Sequence, residues 1–153
     1  MMKTTTQTKP DLNVIMDKQV ANFSILYMKL HHFHWYVKGP DFFTLHIKFE
    51  ELYNEAALHL DAIAERMLAL GKRPTATLKE QLALSSVKEA SGRENAQEMV
   101  QSLSDDLQVV RAELSEGINL AEQGGDQPTA DLFIAIRTSL EKTGWMLQAY
   151  LGK

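Results

Sequence analysis

The chain reads as an all-α four-helix bundle whose second and third long helices are joined by one long crossover. Three observations predict this. Apolar residues recur at three- and four-residue spacing through four long segments. The segments are separated by the breakers Gly39-Pro40, Gly71 with Pro74, and Gly124-Gly125. No segment shows the two-residue alternation of a strand, and no internal repeat is present.

Residues 1–10 are rich in Thr, Gln and Lys and end at Pro10, so they are expected to form a flexible N-terminal arm, with residues 11–152 as the folded domain. Asp11 is a suitable N-cap for a first helix carrying Leu12, Ile15, Val20, Phe23, Leu26, Met28, Leu30 and Phe33 to about Val37. Gly39-Pro40 stops it, and Asp41 or Thr44 can cap a second helix that runs to about Leu70, with Gly71 just past its end. Thr77 can cap a short helix, LKEQLALS, inside the polar crossover from Lys72 to Glu94. A third long helix spans about Ala96 to Gln123, and a fourth begins near Pro128, a good first helical residue. Two long helices, a long crossover with a short extra helix, and two more long helices describe a ferritin-like four-helix bundle.

At 153 residues, 44% hydrophobic and 24% charged, the composition fits one globular domain. There is no cysteine, which excludes disulfides, thiolate metal sites and cysteine nucleophiles. Any metal must be held by His, Asp and Glu, a donor set that favours iron, manganese or a similar ion over structural zinc. A formal net charge of −4 argues against a surface that coats nucleic acid as a whole. No apolar run approaches the roughly 18 residues of a membrane span. MMKTTTQTKP also lacks the apolar core of a signal peptide, so a cytoplasmic location and no membrane partner are expected.

The second helix carries the chemistry. His46 with Glu50 and Asp61 with Glu65 are two i,i+4 pairs of metal-capable side chains, and His34 lies just upstream. On a helical projection with His46 at zero, Glu50 falls at about 40°, Asp61 at about 60° and Glu65 at about 100°, so all four leave one side, next to the apolar face of Phe49, Leu52, Tyr53, Ala56, Leu60, Ile63, Met67 and Leu70. Lys48, Glu55 and His59 fall at about 180° to 220°, which reads as a solvated or subunit-contact side. No Lys or Arg stands beside the stripe to explain it by salt bridging. Yet Glu50 and Asp61 are separated by about 16 Å along a straight helix, whereas ligands sit about 2 to 2.6 Å from their ion. One helix cannot close both pairs on one ion, so either each chain carries two half-furnished sites or the site is completed by the same helix of a second, antiparallel copy; the second arrangement gives two identical complete sites per dimer and suggests an intersubunit metal site. Trp35, next to His34, is a candidate redox neighbour. Glu122, Asp126 and Asp131 bracket the Gly124-Gly125 turn and would line a cation funnel if subunits met there around a three-fold axis.

HWYVKGPDFFTLHIKFEELY followed by HLDAIAERMLALGKRP resembles the Dps family, the mini-ferritins named as DNA-binding proteins from starved cells, and especially its Gram-positive members. The likeness extends over residues 11–152. It implies a hollow homododecamer with 23 symmetry that oxidises Fe(II), preferably with hydrogen peroxide, and stores an Fe(III) mineral, thereby protecting DNA. Carried over residue by residue, it implies a di-iron ferroxidase site shared by two subunits, with His34, His46 and Glu50 from one and Asp61 and Glu65 from the other. It also places Glu122, Asp126 and Asp131 at a pore through which iron passes. The sequence departs from its relatives at Ile47, where many carry an acid, at Glu50, which is Asp in some members, and at Thr143-Gly144, where close relatives often have a His. Direct DNA binding in such proteins often uses a Lys-rich arm, and here the arm offers only Lys3 and Lys9. The competing readings are a nucleoid-associated, DNA-compacting protein whose metal sites are structural, and a single-bundle binding domain without metal.

Overall fold

A computed structural model describes residues 11–153, and these form five α-helices and no strand. They are α1 (Leu12–Tyr36), α2 (Phe42–Ala69), α3 (Leu78–Leu84), α4 (Ala96–Gln123) and α5 (Gln127–Tyr150). The arm proposed at residues 1–10, with Lys3 and Lys9, lies outside the described residues.

The helix ends follow local chemistry. Four N–H groups at each helix start have no partner within the helix, and polar side chains supply one. Asp11 accepts from Val14 N at 2.9 Å, Thr77 from Glu80 N at 3.3 Å, and Asp126 from Thr129 N at 3.2 Å. Asn95 and Glu98 form a reciprocal capping box at α4. The start of α2 differs from expectation: Asp41 occupies the cap position without a capping hydrogen bond, because its carboxylate accepts from the Tyr150 hydroxyl at 2.8 Å instead. That bond ties the end of α5 to the start of α2. At the far end of α2, Gly71 adopts φ +74°, and Lys72 N reaches back to Met67 O at 2.8 Å. A side chain at that φ would be strained, which is why glycine stands there.

Helices α1 and α2 form one long hairpin and α4 and α5 another, with α1 also packed on α4 and α2 on α5. Phe23, Phe33, Phe49 and Phe133 are fully buried along the shared axis with Met16, Leu26, Ile63, Met67, Leu103 and Leu114. Gly117 lets α5 approach α4 closely: a Cβ there would lie 2.5 Å from the Phe133 ring.

The crossover is not loose. It lies along α1 and is held by a buried polar network that no local sequence pattern announces. Asn22, fully buried, donates to Glu113 Oε1 at 2.8 Å and accepts from Ser86 N at 2.8 Å and the Ser85 hydroxyl at 3.1 Å. Gln19 also donates to Glu113, and Asp17 accepts from Thr75 N at 2.8 Å. A largely buried Lys29–Asp106 pair at 2.7 Å joins α1 to α4, and burial pushes the Asp106 carboxyl above its usual range despite the ammonium beside it. Breaking either set leaves buried polar groups unpaired.

Because Phe133 is fully enclosed, Gly117→Ala should destabilise the fold by about 1 to 3 kcal/mol through overpacking. A lowered urea midpoint for loss of helical circular dichroism would register this, and an unchanged midpoint would contradict the close approach.

Candidate metal centre

The hairpin between α1 and α2 brings His34 and His46 face to face. His34 lies in the last turn of α1 and His46 in the second turn of α2, and their rings stack with centroids 3.7 Å apart at 11°. Each imidazole is hydrogen-bonded to the other residue's backbone: His34 Nδ1 to His46 O at 2.6 Å, and His46 Nδ1 to His34 O at 2.7 Å. A carbonyl can only accept, so both Nδ1 atoms carry the proton. In the neutral ring the lone pair is then on Nε2, the form in which imidazole binds metals. His34 O is free to accept because the last four carbonyls of a helix have no partner within it. Phe42 covers the other side of His46 at 4.9 Å and 22°, and Tyr53 meets His34 edge-on at 5.4 Å and 88°. His34 is 9% exposed. The rings are therefore fixed in tautomer and orientation.

The carboxylates are arranged differently. Glu50, one turn beyond His46, is exposed and accepts a long 3.4 Å hydrogen bond from the Tyr53 hydroxyl. Burial raises the Tyr53 pKa above the usual phenol range, and the Glu50 charge and this hydrogen bond act in the same direction. Asp61 and Glu65, farther along α2, are exposed and form no side-chain hydrogen bond or ion pair among the described residues. The Lys and Arg side chains of α2 are committed elsewhere: Lys48 pairs with Glu51 at 3.1 Å and Arg66 with Asp126 at 2.9 Å. Among the described residues, no three His, Asp or Glu side chains of one chain converge on a point that could hold a metal ion. The structure thus brings together His34 and His46, with Glu50 one turn away, and leaves Asp61 and Glu65 as a separate, unneutralised pair.

Trp35 is 61% exposed and its ring neighbour is His31 at 5.4 Å, not either imidazole of the stacked pair. His31 stacks on Tyr53 at 3.7 Å and 16°, and its Nδ1 is bonded to Tyr27 O at 2.7 Å. Tyr53 was legible only as part of the apolar face of α2. Its place three residues after Glu50, one helical turn, is the signal that could have assigned it to the site.

One expectation needs correction. Glu55 and His59 do not face solvent: they point at the α5 side of the bundle, where Glu55 accepts from His59 Nε2 at 3.1 Å and from the Ser139 hydroxyl. Both line a cavity of about 30 Å³ with Phe23, Leu26, Leu103 and Thr143, too small for an organic substrate. The hydrogen bond from His59 holds the Glu55 carboxyl below its usual range, outweighing the opposing effect of burial. Of the acidic triplet, Asp126 is not a free carboxylate. It caps α5 and binds Arg66 and the Thr129 hydroxyl; burial acts against ionisation, but the Thr129 and Arg66 bonds prevail and lower its pKa. Asp131 accepts from Gln127 at 2.8 Å, and Glu122 is exposed.

The depressed Glu55 carboxyl has a pH consequence. Its folded pKa lies below the ordinary 4.5, so the stability it adds is complete above that value and is lost as pH falls through the folded pKa. The urea midpoint should therefore drop more steeply below pH 4.5 for the parent than for Glu55→Gln; parallel profiles would contradict the assignment.

The ferritin-like domain family matches residues 15–153. General stress protein 20U of Bacillus subtilis is 57% identical over 137 residues, covering 90% of this chain and 94% of that protein. DNA protection during starvation protein 2 of Bacillus anthracis is 52% identical over 139 residues, covering 91% of this chain and 95% of that protein. The crystal structure of Dps from Staphylococcus aureus superposes with a TM-score of 0.90 at 48% identity, covering 92% of this chain and 94% of that one.

Proposed function

The chain belongs to the Dps family of ferritin-like proteins, and from that membership we propose that it is an iron-storing ferroxidase whose active sites are each built by two subunits. The observation that carries this reading is the reciprocal histidine clamp. It presents two Nε2 lone pairs on one chain while Asp61 and Glu65, with no ion-pair partner among the described residues, wait on the same helix at a distance one ion cannot span.

Two antiparallel copies of α2 across a two-fold axis set the His half of each chain against the carboxylate half of the other, giving two identical sites per dimer. His34, His46 and Glu50 of one subunit and Asp61 and Glu65 of its neighbour hold Fe(II), the substrate, with Glu50 bridging or holding a second, weaker ion. The donor set of imidazole and carboxylate suits iron. The backbone carbonyls on the two Nδ1–H groups keep the imidazoles neutral at Nε2 and aimed. Hydrogen peroxide then takes one electron from each of two Fe(II) and, with two protons, becomes two waters. Fe(III) hydrolyses and mineralises inside a homododecamer of 23 symmetry. Removing Fe(II) and peroxide together denies DNA the hydroxyl-radical reaction, which accords with the names of the starvation-protection relatives. Glu122 and Asp131, with Asp126 neutralised by Arg66, are the candidate lining of the pore through which iron passes. Trp35, beyond His31, is the outer candidate redox neighbour. No helix among the described residues is long and apolar enough to cross a membrane, and the reading places the shell in the cytoplasm.

His46→Ala and Asp61→Ala should each abolish peroxide-dependent Fe(II) oxidation. Co-expressed at equal amounts, they should regain about a quarter of the parent activity, because a site is whole only where the His half comes from the Asp61 variant and the carboxylate half from the His46 variant. No recovery in mixed shells of confirmed composition would contradict the shared site.

A further inference from the structure

A second group of metal-capable side chains lies inside the bundle, on the other side of α2 from the proposed iron ligands. Glu55 and His59 leave the helix at about 180° to 220° from His46. Glu55 Oε1 accepts from His59 Nε2 at 3.1 Å and from the Ser139 hydroxyl of α5. Beside them is the cavity of about 30 Å³, walled by all four long helices, with Phe23 from α1, Leu103 from α4 and Leu140 from α5. Apart from Glu55 and His59, the polar residue on its wall is Thr143. That volume accommodates one water.

The gap that holds the His59 to Glu55 hydrogen bond also fits an ion. Nitrogen and oxygen ligands 3.1 Å apart, each about 2.0 to 2.1 Å from one ion, subtend about 100° there, between the octahedral and tetrahedral values. We propose that Glu55 and His59 form a second cation site, held within one chain, for a single first-row divalent transition ion. His59 binds through the Nε2 lone pair, its proton moving to Nδ1, and Glu55 binds through a carboxylate oxygen. The Ser139 hydroxyl holds the carboxylate in place, as ligating carboxylates are commonly held. Waters fill the remaining positions, one of them in the cavity that Thr143 lines.

Access, orientation and charge agree with this. The side chains of His59 and Glu55 keep 15% and 29% of their surface exposed, so an ion can enter from solvent. The His59 ring packs on Phe23 with centroids 5.2 Å apart, which limits its rotation. Lys48, the cation that acts on Glu55, is itself paired with Glu51 at 3.1 Å. Among the described residues no third His, Asp or Glu joins the pair, so the ion is exchangeable and not a permanent structural one. Glu55 lies nine residues beyond His46, about 13.5 Å along the helix axis. An ion here is therefore counted apart from iron at the shared site, whether or not that site oxidises it. Through Ser139 it also ties α2 to α5.

Zn(II) is the probe, because it has no redox chemistry. Assembled protein carrying His46→Ala and Asp61→Ala, which removes a donor from each half of the shared site, is dialysed to equilibrium against Zn(II). It is expected to hold one ion per chain more than the same protein with His59→Gln added. Zn(II) should also raise the Tm of the first protein more than that of the second, since an ion that binds the folded state stabilises it. His59→Gln retains a hydrogen-bond donor and removes the imidazole, so it separates a ligand from a packing contact. Equal zinc in the two proteins would overturn the proposal. Should the substituted shells fail to assemble, crystals of the unsubstituted protein soaked in Zn(II) answer. An anomalous difference peak between Glu55 and His59 is expected, and peaks confined to His34 and His46, or none, would overturn it. Failure of the ferroxidase reading looks different: the parent then leaves Fe(II) unoxidised by peroxide, and the zinc outcomes stand unchanged.

Discussion

The pair of hydrogen bonds between His34 and His46, each imidazole to the other's backbone carbonyl, is the constraint on which the rest depends. It does two things at once. It closes the α1–α2 hairpin by supplying a partner to a carbonyl at the end of α1, a group the helix itself cannot satisfy. It also fixes both rings in the tautomer that leaves Nε2 free. A metal-ligating histidine usually needs an acceptor for its second nitrogen, commonly a carboxylate. Here the backbone provides it, so no acidic side chain has to be buried beside the site.

The second constraint is the straightness of α2. A helix of 28 residues cannot fold back on itself, so the imidazole half and the carboxylate half remain on one chain yet apart. The hard carboxylates of Asp61 and Glu65, without an ion-pair partner among the described residues, and the imidazoles of buried His34 and half-buried His46 are complementary in donor type and stand in different places along the chain. Among the described residues no ion pair blunts the carboxylates: Arg66, next to Glu65 and five residues beyond Asp61, turns to Asp126 and Thr129 at the start of α5. The same Arg66 contact strengthens the α5 cap, so the acidic turn is divided between structure and solvent.

Much of the fold was legible because it rests on local chemistry. The apolar spacing of α1, α2, α4 and α5, the caps at Asp11 and Thr77, and Gly71 beyond α2 all act within a few residues along the chain. What escaped depends on distant partners. Glu55 and His59 sat near the border of the apolar face on a helical projection, and only Ser139, 84 residues away from Glu55, draws them toward the bundle. Asp41 looked like a cap until Tyr150 claimed it. The ligand candidates themselves were readable from spacing, but the backbone clamp that orients His34 and His46 was not, since carbonyls carry no sequence signature. Tyr53 was read as a core residue because its ring behaves as one while its hydroxyl reaches the site.

The central claim is that iron is oxidised in pairs at sites the assembled shell completes. The most direct measurement is an anaerobic Fe(II) titration of protein whose mass in solution has been determined, followed by peroxide. The account predicts a particle of about twelve subunits that consumes one peroxide for about two Fe(II), with saturation lost in Asp61→Ala. A monomer near 17.3 kDa with no saturable Fe(II) oxidation would contradict it.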